Sequence, residues 1–202
     1  MSRKVFDKLT SLGGAVVVVV LLVAGGLLMV GHNFVNSNVH NQLAQQQIFF
    51  PPQAAFAHAK AGSEITPSMI PSVSRYAGQQ LLTGRQAKAY ADHFIAVHLS
   101  EMPYNGVYSK ISSAAMAAKP GSAQAAKLDG LKTASFMGTT LRGLLLEAYA
   151  FWMIGQIMLI GAIASFVLAA IMALLVALGF THAARTSEEA RLLAPKPVPA
   201  AG

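Results

Sequence analysis

Between Arg85 and Met102 the chain reads RQAKAYADHFIAVHLSEM, which crowds two histidines, an aspartate, a glutamate and a methionine into one short stretch. Side chains of these types hold metal ions, and a histidine beside a carboxylate can move protons. Spacing decides whether they do. His93 and His98 are the metal candidates, and they stand five apart. On an α-helix that turns them about 140° from each other, at about 100° per residue. A zinc pair wants one face, as the i, i+4 histidines of H-E-x-x-H provide. Asp92 follows Lys88 by four residues, the spacing of an ordinary ion pair. His98 falls in the last turn of its helix, where partial positive charge suits the helix dipole. The stretch therefore reads as a packed helix that carries histidines, with no metal, no cofactor and no catalytic residue expected. Five of the six histidines (His32, His40, His58, His93 and His98) lie in the same central segment, and nothing in their spacing brings three together. A pocket with perturbed acids near Asp92 or Glu101 would favour an enzyme, and the chain has no G-x-S-x-G, P-loop or Rossmann glycine pattern.

The elements that must position these residues start from composition. The chain has 202 residues, 54% hydrophobic and 11% charged. A soluble domain carries about 25% charged residues. Two runs account for the deficit. GGAVVVVVLLVAGGLLMVG (13–31) has no polar side chain, and residues 151–180 have only Gln156 and Ser165. A helix of roughly 20 apolar residues crosses a bilayer. Strands of a membrane β-barrel would alternate instead of running solid. The first run is longer than the roughly 7–15 residues of a signal-peptide core, and no small-x-small site follows it, so it reads as an anchor that stays.

Basic residues near the spans set orientation. Arg3, Lys4 and Lys8 face Asp7 in the first tail, and Arg185, Arg191 and Lys196 face Glu188 and Glu189 in the last. Both tails are net basic, so both termini are expected in the cytoplasm and residues 32–148 outside, in a multi-pass plasma-membrane protein. The net charge of +7 comes from scattered single residues without aromatic interleaving, which is no nucleic-acid signature. The absence of cysteine removes disulfides, iron–sulfur clusters and cysteine zinc sites.

The expected organisation is an all-α membrane protein: two transmembrane helices extended outward as stalks, with a small helical extracytoplasmic cap. Residues 1–12 form a basic lead and 13–31 the first span. Val35, Val39, Leu43, Gln46 and Phe50 continue at helical spacing as a stalk over 32–50, stopped by Pro51-Pro52. The cap covers 51–138: a surface loop over 53–75, a helix over 76–99 with Thr83 and Gln86 forming a capping box, a turn at Asn105-Gly106, a short helix over 112–119, and another over 122–138 interrupted at Gly130. A second stalk (139–150) leads into the span 151–180, and 181–202 is a disordered tail. Such a cap is small for a large core of its own.

In the second span Gly161, Ser165, Ala169, Ala173 and Ala177 recur every four residues, a stripe of small side chains that lets another helix approach closely. Gly25 and Gly26 are possible counterparts in the first span. The partner is span 1, a second copy forming a homo-oligomer, or another membrane protein. Glu147, beside Tyr149, Phe151 and Trp152, reads as a headgroup-level carboxylate in an interfacial aromatic belt.

The stretches YAGQQLLTGRQAKAYADHFIAVHL and FMGTTLRGLLLEAYAFWMIGQ resemble those of small two-span membrane proteins of actinobacteria, over most of the chain from the first stalk to the second span. That resemblance implies the topology and an envelope location. Some of those relatives bear an aromatic ring-opening dioxygenase label, which would need an organised metal site, and no ligand pattern for one stands here. The function expected is that of a non-enzymatic accessory or assembly subunit in a larger plasma-membrane or envelope complex, its partners being the bilayer and another membrane protein. The alternative is an extracytoplasmic binder of a metal or small ligand.

Overall fold

The computed structural model describes residues 3–186, and every regular element in them is helical. In order these are α1 (Arg3–Gln46), α2 (Gln53–Ala57), α3 (Ile70–Val73), α4 (Gly84–Tyr90), a π-turn (Ala91–Ile95), α5 (Ala96–Glu101), α6 (Tyr108–Ala117) and α7 (Ala123–Arg185), with single 3₁₀ turns at Pro67–Met69, Ser74–Tyr76 and Pro103–Gly106. Helices α1 and α7 are long and apolar enough to cross a membrane. The described chain divides into two compact units, an apolar pair of segments (3–32 with 156–186) and a helical domain (33–155).

In the apolar pair the segments of α1 and α7 pack antiparallel. Ser11 meets Gly179, Gly14 meets Val176, Gly25 meets Phe166, Leu28 meets Gly161 and Gly31 meets Met158, one partner climbing the sequence as the other descends. Ala162, Ala169 and Ala183 are buried, while Leu27, Ile160 and Leu174 are exposed. The fully buried residues are small, large side chains such as Leu28 and Val176 pack over glycines at the contact, and many large apolar ones point outward. Lipid is as apolar as leucine, so helices in it associate through close packing that small residues permit.

The helical domain buries large apolar side chains as well as small ones. Val39 and Leu43 of α1 and Leu145 of α7 join Phe50, Phe56, Ile65, Met69, Val73, Leu81, Ala87, Ala91 and Ile95 in one core. Residues 51–138 supply eight of these twelve side chains, and the two long helices add Val39, Leu43 and Leu145.

Several expectations need correction. The stretch 53–75 is not simply a surface loop: it forms α2 and α3 and buries Phe56, Ile65, Met69 and Val73. Its prolines 67 and 71 sit in first turns, where a missing amide costs nothing. Helix α1 ends at Gln46, before Pro51-Pro52. Gln47 turns left-handed (φ 51°), and the chain then pairs antiparallel with residues 79–81 through Phe50 N–H to Gln79 O (2.9 Å) and Leu81 N–H to Ile48 O (2.8 Å). Gln80 Nε2 donates to Ala44 O at 2.9 Å, satisfying a carbonyl at the α1 C-terminus. The central helix starts at Gly84, because Gly78 (φ 69°) and residues 79–81 are used in that turn and pairing. Gly130 does not interrupt α7, which is continuous through it. A helical glycine costs only about 1 kcal/mol relative to alanine. The short helix expected at 112–119 is α6, over Tyr108–Ala117. Of the tail expected at 181–202, residues 181–185 belong to α7, and 187–202 lie outside the described residues.

Candidate functional site

Within the helical domain, the α1 and α7 segments border a groove of about 430 Å³. Its lining includes the buried Val39, Leu43 and Leu145, with the more exposed Phe34, Leu144 and Phe151 around them. Helical spacing explains the division: Val39 and Leu43, four apart, turn into the core, whereas Phe34 lies off that face. Asn38, Gln42, Gln46 and Glu147 add polar groups, and Gln42 Nε2 donates to Asn38 Oδ1 at 3.2 Å. The titratable residue in the lining is the exposed Glu147. The groove therefore offers apolar area and shape rather than acid–base chemistry.

The residues of the opening stretch are placed by a capped helix and its π-turn. Thr83 Oγ1 accepts from Gln86 N–H (3.3 Å), and Gln86 Oε1 accepts from Thr83 N–H (3.0 Å) and Leu82 N–H (2.9 Å), so the capping box is formed. Asp92 accepts from Lys88 Nζ (2.6 Å) and from Arg142 of α7 (2.9 Å). The Lys88 hydrogen bond first, and that from Arg142 after it, hold the Asp92 carboxyl below its ordinary pKa. His98 Nδ1 lies 2.8 Å from Phe94 O, and its ring meets Phe94 edge-on. His93 instead lines a separate cleft with Arg75, Arg85 and Lys88. Glu101 is exposed. Among the described residues, no three His, Cys, Asp or Glu side chains are grouped as metal ligands would be.

An aromatic series threads the domain. Tyr76, Phe50, Tyr90, Phe94 and His98 touch in succession, with centroids 5.1, 5.3, 4.6 and 4.6 Å apart. Burial, with Glu64 adding to it, raises the Tyr90 hydroxyl above its usual pKa.

In the apolar pair Gly25 abuts Phe166, whereas Gly26 has open space around its Cα. Gly161 meets Leu28, Ser165 is half-buried and Ala169 is buried, but Ala173 and Ala177 are exposed. A strict four-residue repeat drifts by about 40° per step around a helix at about 100° per residue, so the stripe leaves the contact face. That face continues through Val176, Gly179 and Ala183.

The groove and the cleft were not singled out in the sequence. Phe34, stranded in a polar stretch, was the signal available for the groove. No family model, curated protein or solved structure matches the chain.

Proposed function

We propose that this chain is a non-enzymatic integral membrane protein, an accessory or assembly subunit of a larger plasma-membrane or envelope complex, with the groove as its contact for a helix of the partner. The observation that carries the reading is the exposure of Phe34, Leu144 and Phe151 around an apolar floor. Exposed apolar patches of this kind mark interaction sites, and an amphipathic helix fits such a groove. The topology proposed with it, which rests on the net basic tails, places both termini in the cytoplasm and residues 32–148 outside.

The test is isolation from the native membrane in gentle detergent, with a photo-crosslinking residue in place of the exposed groove residue Phe34. A stoichiometric complex cross-linked through that position, and lost in Leu144→Asp, is the expected result. Recovery of the chain alone, or cross-links indifferent to Leu144→Asp, would overturn it. Orientation is checked separately. The chain has no cysteine, so Ser113→Cys should react with an impermeant maleimide in intact cells and Thr186→Cys should not.

A further inference from the structure

The cleft that takes in His93 is chemically unlike the groove. It measures about 390 Å³ and is lined by Arg75, Tyr76, Arg85, Lys88, His93, Tyr149 and Trp152, among others, with no carboxylate in its wall. Three of its cations lie over aromatic rings. Arg85 sits 5.2 Å from the Trp152 centroid, Lys88 sits 5.3 Å from Tyr149 and Arg75 sits 5.0 Å from Tyr76. Tyr149 and Trp152 stack on each other with centroids 6.0 Å apart. Cation–π contact holds each guanidinium in place while leaving its N–H edges free to donate. Among the described residues neither Arg75 nor Arg85 has an ion-pair partner. Lys88 shares Asp92 with Arg142, so Asp92 stays paired if Lys88 turns toward a second anion.

The backbone brings a further residue to this wall. Lys88 and His93 are five apart, and a regular α-helix would turn them about 140° from each other at about 100° per residue. The π-turn, closed by Ala96 N–H to Ala91 O, interrupts that regular course, and both residues line the cleft. Insertions of this kind recur at functional sites.

We propose that this cleft binds a phosphate group, with Arg75 and Arg85 as bidentate donors, Lys88 as a third cation and Trp152 as the wall. Guanidinium forks match phosphate oxygens, and Arg75 and Arg85, unpaired in a wall without a carboxylate, favour an anion. The phosphate has two sources: an anionic lipid headgroup or a free phosphate. The headgroup source rests on the membrane reading above. It is supported by the place of Trp152 at the start of the apolar run 151–180, where aromatic residues mark the headgroup level.

Trp152 is the one tryptophan of the chain, so intrinsic fluorescence reports on this cleft. The full chain is placed in phosphatidylcholine nanodiscs with increasing phosphatidylglycerol, and, in micelles, is titrated with inorganic phosphate. Native mass spectrometry counts retained phosphatidylglycerol as a readout independent of the fluorophore. The expected result is a saturable response whose apparent affinity falls at least ten-fold in the Arg75→Gln/Arg85→Gln double variant and is unchanged in Lys110→Gln. A response to phosphatidylglycerol alone assigns the headgroup, and a response to both probes assigns a phosphate from either source. No response to either probe, or one indifferent to the double variant, overturns the site. Both arginines are exposed, so the double variant keeps the fold. Alkaline extraction of the wild-type chain tests the membrane reading by itself: release from the bilayer would sink that reading, while the phosphate titration would still decide the cleft.

Discussion

The apolar pair and the helical domain both bury alanines, but among the described residues only the domain fully buries large apolar side chains. The pair buries Ala162, Ala169 and Ala183 and exposes Leu174, whereas the domain fully buries Met69, Val73 and Leu81. The difference follows from the solvent each arrangement suits. Water drives large apolar side chains together, and lipid does not. Truncation breaks this comparison most directly. Met69→Ala should cost about 2–5 kcal/mol, the range for emptying a packed core site. Leu174→Ala should stay within about 0.5 kcal/mol, as at a surface position. Thermal unfolding in detergent, followed by Trp152 fluorescence for the domain and by helical circular dichroism for the whole chain, measures both. Equal losses would show that the two units do not answer to different solvents.

Glycine sharpens the contrast within the domain itself. A methyl group on Gly84 would fall onto Trp152 Cβ, an atom tied to the α7 backbone, whereas one on Gly143 would meet open space. Gly84→Ala should therefore cost about 1–3 kcal/mol through overpacking. Gly143→Ala, a helix-interior change without a clash, should stabilise by about 0.5–1 kcal/mol. The same thermal melts decide this, and destabilisation by both would deny Gly84 its role as the close approach between α4 and α7.

These contrasts also show what could be read from the sequence. The two solid runs announced two long apolar helices, because such runs carry a signal that no turn chemistry can disguise. Thr83 and Gln86 announced a helix start through local hydrogen bonding. The core was harder. Ile65, Met69 and Val73 are four apart, yet Pro67 and Pro71 made their segment look like a loop, and only the placement of each proline in a first turn reconciles the two. Pro51-Pro52 looked like the stop of α1, but the distant Gln80 side chain reaches its last turn ahead of them. The groove and the cleft join residues from 34 to 46 with 141 to 151, and from 75 to 93 with 149 to 153. Local periodicity holds no information on such pairings. The π-turn was equally hidden, and the angle between Lys88 and His93 depends on it.

In the apolar pair a smaller test separates two neighbouring glycines. Gly25 faces the Phe166 ring and Gly26 faces open space. A ring can swing aside, so Gly25→Ala should cost about 1 kcal/mol, at the low end of overpacking. Gly26→Ala should match the parent or exceed it slightly. Unfolding of the pair by titrated sodium dodecyl sulfate in mixed micelles reads the difference. If Gly26→Ala is the damaging change, the close face of α1 has been placed on the wrong side.

The smallest expected effect concerns charge, and it belongs to the domain alone. Asp92 ties the π-turn to α7 through Arg142 and to α4 through Lys88. Both cations are substantially exposed, 40% and 46%, so solvent screens the interaction and Asp92→Asn should cost about 1 kcal/mol at neutral pH. Its sign with pH is fixed. The folded carboxyl titrates below its ordinary value, so the stabilisation is complete above the unfolded pKa of about 3.9 and disappears as pH falls through the folded value. The parent should therefore lose stability on acidification faster than Asp92→Asn, and their melting temperatures should converge at the acid end. Two further variants apportion the loss. If Arg142→Gln reproduces it, the tie between the π-turn and α7 carries the stabilisation. If Lys88→Gln does so instead, the pair is a local helix contact, and Lys88 becomes a poorer candidate for turning toward a phosphate.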